Sequence, residues 1–130
     1  MSAIVVGYVP RPEGRAALAY GIGEARTRGL RLVVVNATRG DSLVDDRYLQ
    51  GGELEELQRE LEALDLPAEL RSMNVGLDIA EELDTVAEEV DAAMIVIGLR
   101  RRSAVGKLIL GSAASRILLT AHKPVVAVKA

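Results

Sequence analysis

Val96–Ser112 reads VIGLRRRSAVGKLILGS. The stretch continues a short apolar run, Ala92–Ile97, and passes through Gly98 into three arginines, Arg100, Arg101 and Arg102. An apolar pattern then resumes and meets Gly111-Ser112, ahead of a further helical segment. A strand end, a basic loop and a helix start follow one another closely. α/β proteins hold anions with this local arrangement, because the free N–H groups of a helix start face the ligand.

Working outward, the flanking segments fit the same architecture. Before the stretch, Asp78 reads as an N-cap with Glu81 three residues on, and Ile79, Leu83, Val86 and Val90 mark a helix face. After it, Ser112 to about Ala121 reads as a helix with Ala113, Ile117 and Leu118 inward, and Pro124–Val128 as a final strand. At the start, Ala3–Val9 is a β-branched run of the kind buried on both sheet faces. Pro10-Arg-Pro-Glu-Gly14 breaks it, a helix over Arg15–Arg28 carries Leu18, Ile22 and Ala25, and Gly29 stops that helix. Arg31–Asn36 is a second buried strand. Thr38–Gly52 reads as a loop; Leu54, Leu57, Leu61 and Leu64 then stripe an acidic helix, and Ala68–Met73 alternates as a half-exposed edge strand.

Strands and helices therefore alternate without hairpin signals. This predicts an α/β fold: an open five-stranded, mostly parallel sheet with helices on both faces, Rossmann-like, in one domain over residues 1–130. Such sheets bind ligands beyond the carboxyl ends of their strands. The loops after Val9, Asn36 and Gly98 are the expected binding loops.

Composition narrows the function. The formal charge of −3 and only three aromatic residues, Tyr8, Tyr20 and Tyr48, argue against nucleic-acid binding. No cysteine and one histidine argue against thiolate chemistry and structural zinc. No apolar run is long enough to span a bilayer, and no signal peptide is read at the N-terminus, so a cytoplasmic protein without a membrane partner is expected. Gly106-Lys107 fails as a phosphate loop, since Arg101 and Leu108 stand at required Gly and Ser/Thr positions. Gly21 and Gly23 sit inside a helix and make no dinucleotide fingerprint. His122 has no neighbours in sequence that suggest a catalytic triad and reads as a structural or exposed residue.

The opening segment IVVGYVPRPEGRAALAYGIGEA and the ending AAMIVIGLRRRSAVGKLILGSAASRILLTAHKPVVAVKA resemble the universal stress protein family. That family's nucleotide motif is Gly, two residues, Gly, nine residues, Gly, then Ser or Thr. Gly98 matches its first position and Gly111-Ser112 its last two, but Arg101 replaces the middle glycine. Val9 stands where nucleotide-binding members carry an acid. Losing a carboxylate partner to a ribose hydroxyl costs about 1.5–3 kcal/mol, or roughly one to two decades in affinity.

The resemblance implies an adenine nucleotide α-hydrolase-like fold and a site formed by Val9, Ala37, Gly98, Arg100, Arg101, Gly111, Ser112 and Ala113. It implies a regulatory protein rather than an enzyme, with ATP or AMP as ligand, Mg accompanying ATP, and no required cofactor. It further implies a homodimer through Pro124–Val128. Two alternatives stand beside this reading: a dimeric interaction module that binds no nucleotide, and a slow ATPase. The adenine nucleotide α-hydrolases carry a serine-containing loop after their first strand, whereas VPRPEG here has none, which weighs against the enzyme.

Overall fold

The computed structural model describes residues 2–37, 51–73, 78–100 and 112–130. Five strands are joined by four helices: β1 (Ala3–Gly7), α1 (Pro12–Arg28), β2 (Arg31–Ala37), α2 (Gly51–Glu62), β3 (Ala68–Met73), α3 (Ile79–Glu89), β4 (Ala92–Leu99), α4 (Ser112–Thr120) and β5 (Val125–Lys129). The strand order is β3-β2-β1-β4-β5 and all four pairings are parallel.

The order explains the layers. From β1 to β3 the chain steps one way across the sheet, then crosses back from β3 to β4. Crossovers of one hand must change face when the direction reverses. Ile4, Val6, Leu32, Val34, Met94 and Val96 accordingly meet Leu18 of α1 and Leu57 and Leu61 of α2. Their neighbours Val5, Val33, Val35, Ile95 and Ile97 meet Leu83 and Val86 of α3 and Ile117 of α4. Apolar side chains thus cover both faces of the central strands, which is why these strands read as unbroken apolar runs.

Helix α1 begins three residues earlier than the expected Arg15. Pro12 occupies its first turn, where the missing N–H costs nothing, and Glu13 adds an acid there. Gly29 ends it at φ 68°, and its N–H bonds the carbonyl oxygens of Ala25 and Arg26. The Asp78 side chain caps α3 by accepting from the Ala80 N–H at 2.9 Å. In α4 Ile117 is buried, but Leu118 is 39 % exposed and Leu119 84 % exposed, so Leu118 is not the inward residue its spacing suggests. Ala114 and Ala121 pack inward instead.

The two sheet edges differ in chemistry. Along β3, Arg71 pairs with Glu69 and with Glu89 of α3, and Arg31 of β2 also reaches Glu69. A charged edge strand resists pairing with other chains. At the other edge, β5 presents Val125, Val126, Ala127 and Val128, all half-buried.

Candidate functional site

β1 and β4 lie side by side, and the chain leaves them in opposite directions across the sheet. Their carboxyl ends flank the topological switch point, where open α/β sheets form a ligand crevice. The turn from β1 into α1 forms one wall. Tyr8 N–H donates to the Val35 carbonyl at 2.9 Å, Arg11 N–H to that of Val9 at 2.8 Å, and Arg15 N–H to that of Arg11 at 3.0 Å. Val9 is half-buried in this turn.

Two glycines let α1 settle there. A Cβ on Gly14 would lie 1.7 Å from the Val9 carbonyl oxygen, and one on Gly98 would lie 2.0 Å from the Glu13 carbonyl oxygen. Both obstructions are backbone and have no side-chain freedom to retreat. The bare Cα of Gly98, expected to admit phosphate, admits the first turn of α1. Gly98 therefore has a packing role whether or not a ligand binds.

The other residues expected in the site divide by position. Ala37 ends β2, paired with Met73 of β3. Arg100 is exposed just past β4, Ser112 is exposed at the start of α4, and Ala113 beside it is half-buried. Arg101 and Gly111 lie outside the described residues, as does Lys107. Val9, Gly98 and Arg100 thus gather at the carboxyl ends of β1 and β4, with Ala37 at the end of the adjacent β2.

Beside the β1–α1 turn, on the α2 side, is an open recess of about 450 Å³. Tyr8, Arg11 and Arg15 line it together with Glu53, Glu56 and Glu60. Arg15 forks onto Glu60 at 2.9 and 3.2 Å and donates to the Tyr8 hydroxyl at 3.4 Å. Its guanidinium lies 6.0 Å from the Tyr8 ring centroid. The bonds to Glu60 first, then to Tyr8, hold Arg15 firmly protonated. Sequence patterning could not show this cluster, because Arg15 and Glu60 come from separate helices.

Two carboxylates stand out for what they lack. Among the described residues, the Oε1 atom of Glu13 is buried without a hydrogen-bond partner, as are both carboxylate oxygens of Glu82. Glu82 is only 2 % exposed, and burial pushes its carboxyl above the usual range. Its position was legible: Glu82 lies three residues after Ile79 and four before Val86, on the apolar stripe of α3.

His122 is exposed, as expected, but not alone. Asp84 of α3 accepts from its backbone N–H at 2.9 Å, and Asp84 Oδ2 lies 2.8 Å from His122 Nδ1. The His122 backbone N–H leads in holding the Asp84 carboxyl below its ordinary value, and the Asp84 carboxylate in turn raises the imidazole. The acid lies 38 residues away in the chain, beyond the reach of local reading.

A five-stranded parallel sheet with helices on both faces and a switch point between β1 and β4 defines a doubly wound α/β protein. Residues 1–129 match the Universal stress protein family, and the chain belongs to it. A universal stress protein of Mycolicibacterium smegmatis is 49% identical over 126 residues, covering 97% of this chain and 96% of that protein. A universal stress protein from Archaeoglobus fulgidus superimposes with a TM-score of 0.74 at 30% identity, covering 98% of both chains. Another structure, the universal stress protein from Archaeoglobus fulgidus in complex with dAMP, gives a TM-score of 0.68 at 25% identity, covering 98% of this chain and 97% of that one.

Proposed function

We propose that this chain, folding as one domain, is a regulatory protein that binds an adenine nucleotide at the carboxyl ends of β1 and β4 and does not turn it over rapidly. The observation that carries the reading is the crevice itself. Gly98 and Arg100 leave β4 beside the β1–α1 turn at the switch point of a sheet whose dAMP-bound relative shares its fold. Val9, Ala37, Gly98, Gly111 and Ser112 with Ala113 border the nucleotide, and Arg100 and Arg101 meet its phosphates. Mg accompanies ATP, while AMP needs no metal. The cysteine-free sequence suits a reducing, cytoplasmic setting. No helix among the described residues is long and apolar enough to cross a membrane.

Titration calorimetry of purified protein with Mg-ATP and with AMP tests the reading, and native mass spectrometry detects co-purified nucleotide. Absence of heat at millimolar nucleotide overturns it. Arg101→Gly then reports on the loop: weaker binding means the arginine holds phosphate, and tighter binding means it obstructs.

A second reading, a dimeric interaction module, is favoured by the β5 edge. Val125–Val128 form an apolar margin, in contrast to the charged β3 edge. Antiparallel pairing of two β5 strands covers it. The two readings differ in whether nucleotide binds and share the dimer, and a monomer by light scattering at micromolar concentration removes the dimer from both.

A further inference from the structure

Helix α3 runs from the carboxyl edge of the sheet back to the amino end of β4, and the turn after α4 leads to the amino end of β5. There, far along α3 from its Asp78 cap, the ligand atoms of Asp84, Glu88 and His122 all lie within 4.8 Å of one another. We propose that these three residues bind a six-coordinate first-row divalent cation of the Mn²⁺, Co²⁺ or Ni²⁺ type, with water completing the shell.

The ligand set is supplied by two elements. Asp84 and Glu88 stand one turn apart on α3 and therefore on one helix face. His122 comes from the α4–β5 turn and is docked by its own backbone N–H on Asp84 Oδ1. That bond leaves Oδ2 beside Nδ1, so the acid and the imidazole are already oriented toward each other. Glu88 is exposed and has no ion-pair or hydrogen-bond partner for its carboxylate among the described residues, so it is free to close on an ion. The nearby Lys123 pairs with Asp91, Arg71 with Glu69 and Glu89, and Arg116 with Asp78. With the imidazole neutral, the cluster carries two negative charges.

The Asp84–His122 spacing suits adjacent positions on a six-coordinate ion. With metal–ligand bonds of roughly 2.1 Å, the 2.8 Å separation of Nδ1 and Oδ2 subtends about 84° at the ion. That is close to the right angle of an octahedron. A tetrahedral ion would need a separation of about 3.4 Å at the same bond length. The ion takes the place of the proton between Nδ1 and Oδ2: a neutral imidazole then carries its one proton on Nε2, and an imidazolium releases its second proton to solvent. One imidazole among oxygen donors disfavours Mg²⁺ and Ca²⁺, which take all-oxygen shells. The site lies apart from the β1/β4 crevice and does not depend on nucleotide binding.

The chain has one histidine and no cysteine, so an imidazole signal on metal addition reports His122 alone. Tag-free protein is titrated with Co²⁺, following heat and the NMR resonances of the single imidazole. The expected result is binding of one ion, with those resonances shifted or broadened away and millimolar Mg²⁺ unable to restore them. His122→Ala and Glu88→Gln each weaken Co²⁺ binding about tenfold or more, the order seen for lost metal-site partners. Glu88→Gln changes an exposed helix position and keeps the test valid should loss of His122 disturb the turn. An unchanged imidazole at millimolar Co²⁺, or affinity unaltered in Glu88→Gln, overturns the proposal.

Discussion

Replacing Glu82 with methionine is expected to stabilise the protein at neutral pH. Glu82 lies on α3 with 2 % of its surface exposed and neither carboxylate oxygen hydrogen-bonded among the described residues. A buried polar group without a partner costs about 1–3 kcal/mol, and replacing buried charge with an apolar side chain of similar volume is often neutral or stabilising. Methionine keeps the unbranched shape and removes both oxygens. A gain of about 1–2 kcal/mol is expected, or roughly 3–10 °C in Tm for a domain of this size. The pH dependence carries its own sign. Burial raises the folded carboxyl above its ordinary 4.5, so the unfolded chain ionises first as pH rises. Glu82 therefore penalises the fold increasingly as pH rises from the unfolded value to its folded value, above which the penalty is fully present, and the penalty fades as pH falls toward the unfolded value. Urea unfolding of both proteins at pH 8 and pH 5 measures this, with the advantage of Glu82→Met larger at pH 8. A variant less stable than the parent at pH 8, or an advantage equal at both pH values, refutes the reasoning.

Gly98→Ala is expected to cost about 3 kcal/mol or more, at the upper end of overpacking penalties, because its Cβ meets the Glu13 carbonyl; a loss under ~1 kcal/mol in urea unfolding contradicts the packing role. Asp91 holds φ 52°, so Asp91→Val should lose about 1–2 kcal/mol while Asp91→Gly stays near the parent, and equal melts for the two variants count against backbone strain. The Asp84–His122 contact contributes stability above the unfolded Asp pKa, lost as pH falls through the lowered Asp84 value. His122 contributes stability below the unfolded His pKa, lost as pH rises through its raised value, so the effect of His122→Asn on the melt should be largest between about pH 4 and 6.5. An NMR titration midpoint for His122 below its ordinary 6.5 contradicts that arrangement. Val9→Asp should tighten adenine nucleotide binding by roughly one to two decades, and calorimetry showing no gain removes the missing acid as the weak point.

The fold was legible because each strand announces itself. Ile4-Val5-Val6 and Leu32–Val35 are apolar at every position, as strands between two helix layers must be, and Gly29 stops α1 where a left-handed cap is needed. Leu118 misled because the α4 spacing fits more than one apolar face, and only the position of α3 selects the one holding Ile117. In the site, the carboxyl-end location of Val9 and Gly98 follows from topology, but the occupant of the space above Gly98 does not. Glu13 is 85 positions from Gly98, and their contact exists only once α1 lies across β4. The same limit hid the pairing of Arg15 with Glu60 and of Asp84 with His122. Glu82 differs, since its place on the apolar stripe of α3 was visible, and the acid type alone suggested a solvated surface.

The Gly98–Glu13 contact also bears on how a signal would travel. Main chain rests on main chain there, with no rotamer between them to absorb movement. A shift at the end of β4 would therefore press directly on the first turn of α1, a helix of about 25 Å. Events at the crevice rim can thus be transmitted as a tilt of one whole helix, with its exposed arginines Arg26 and Arg28 at the far tip.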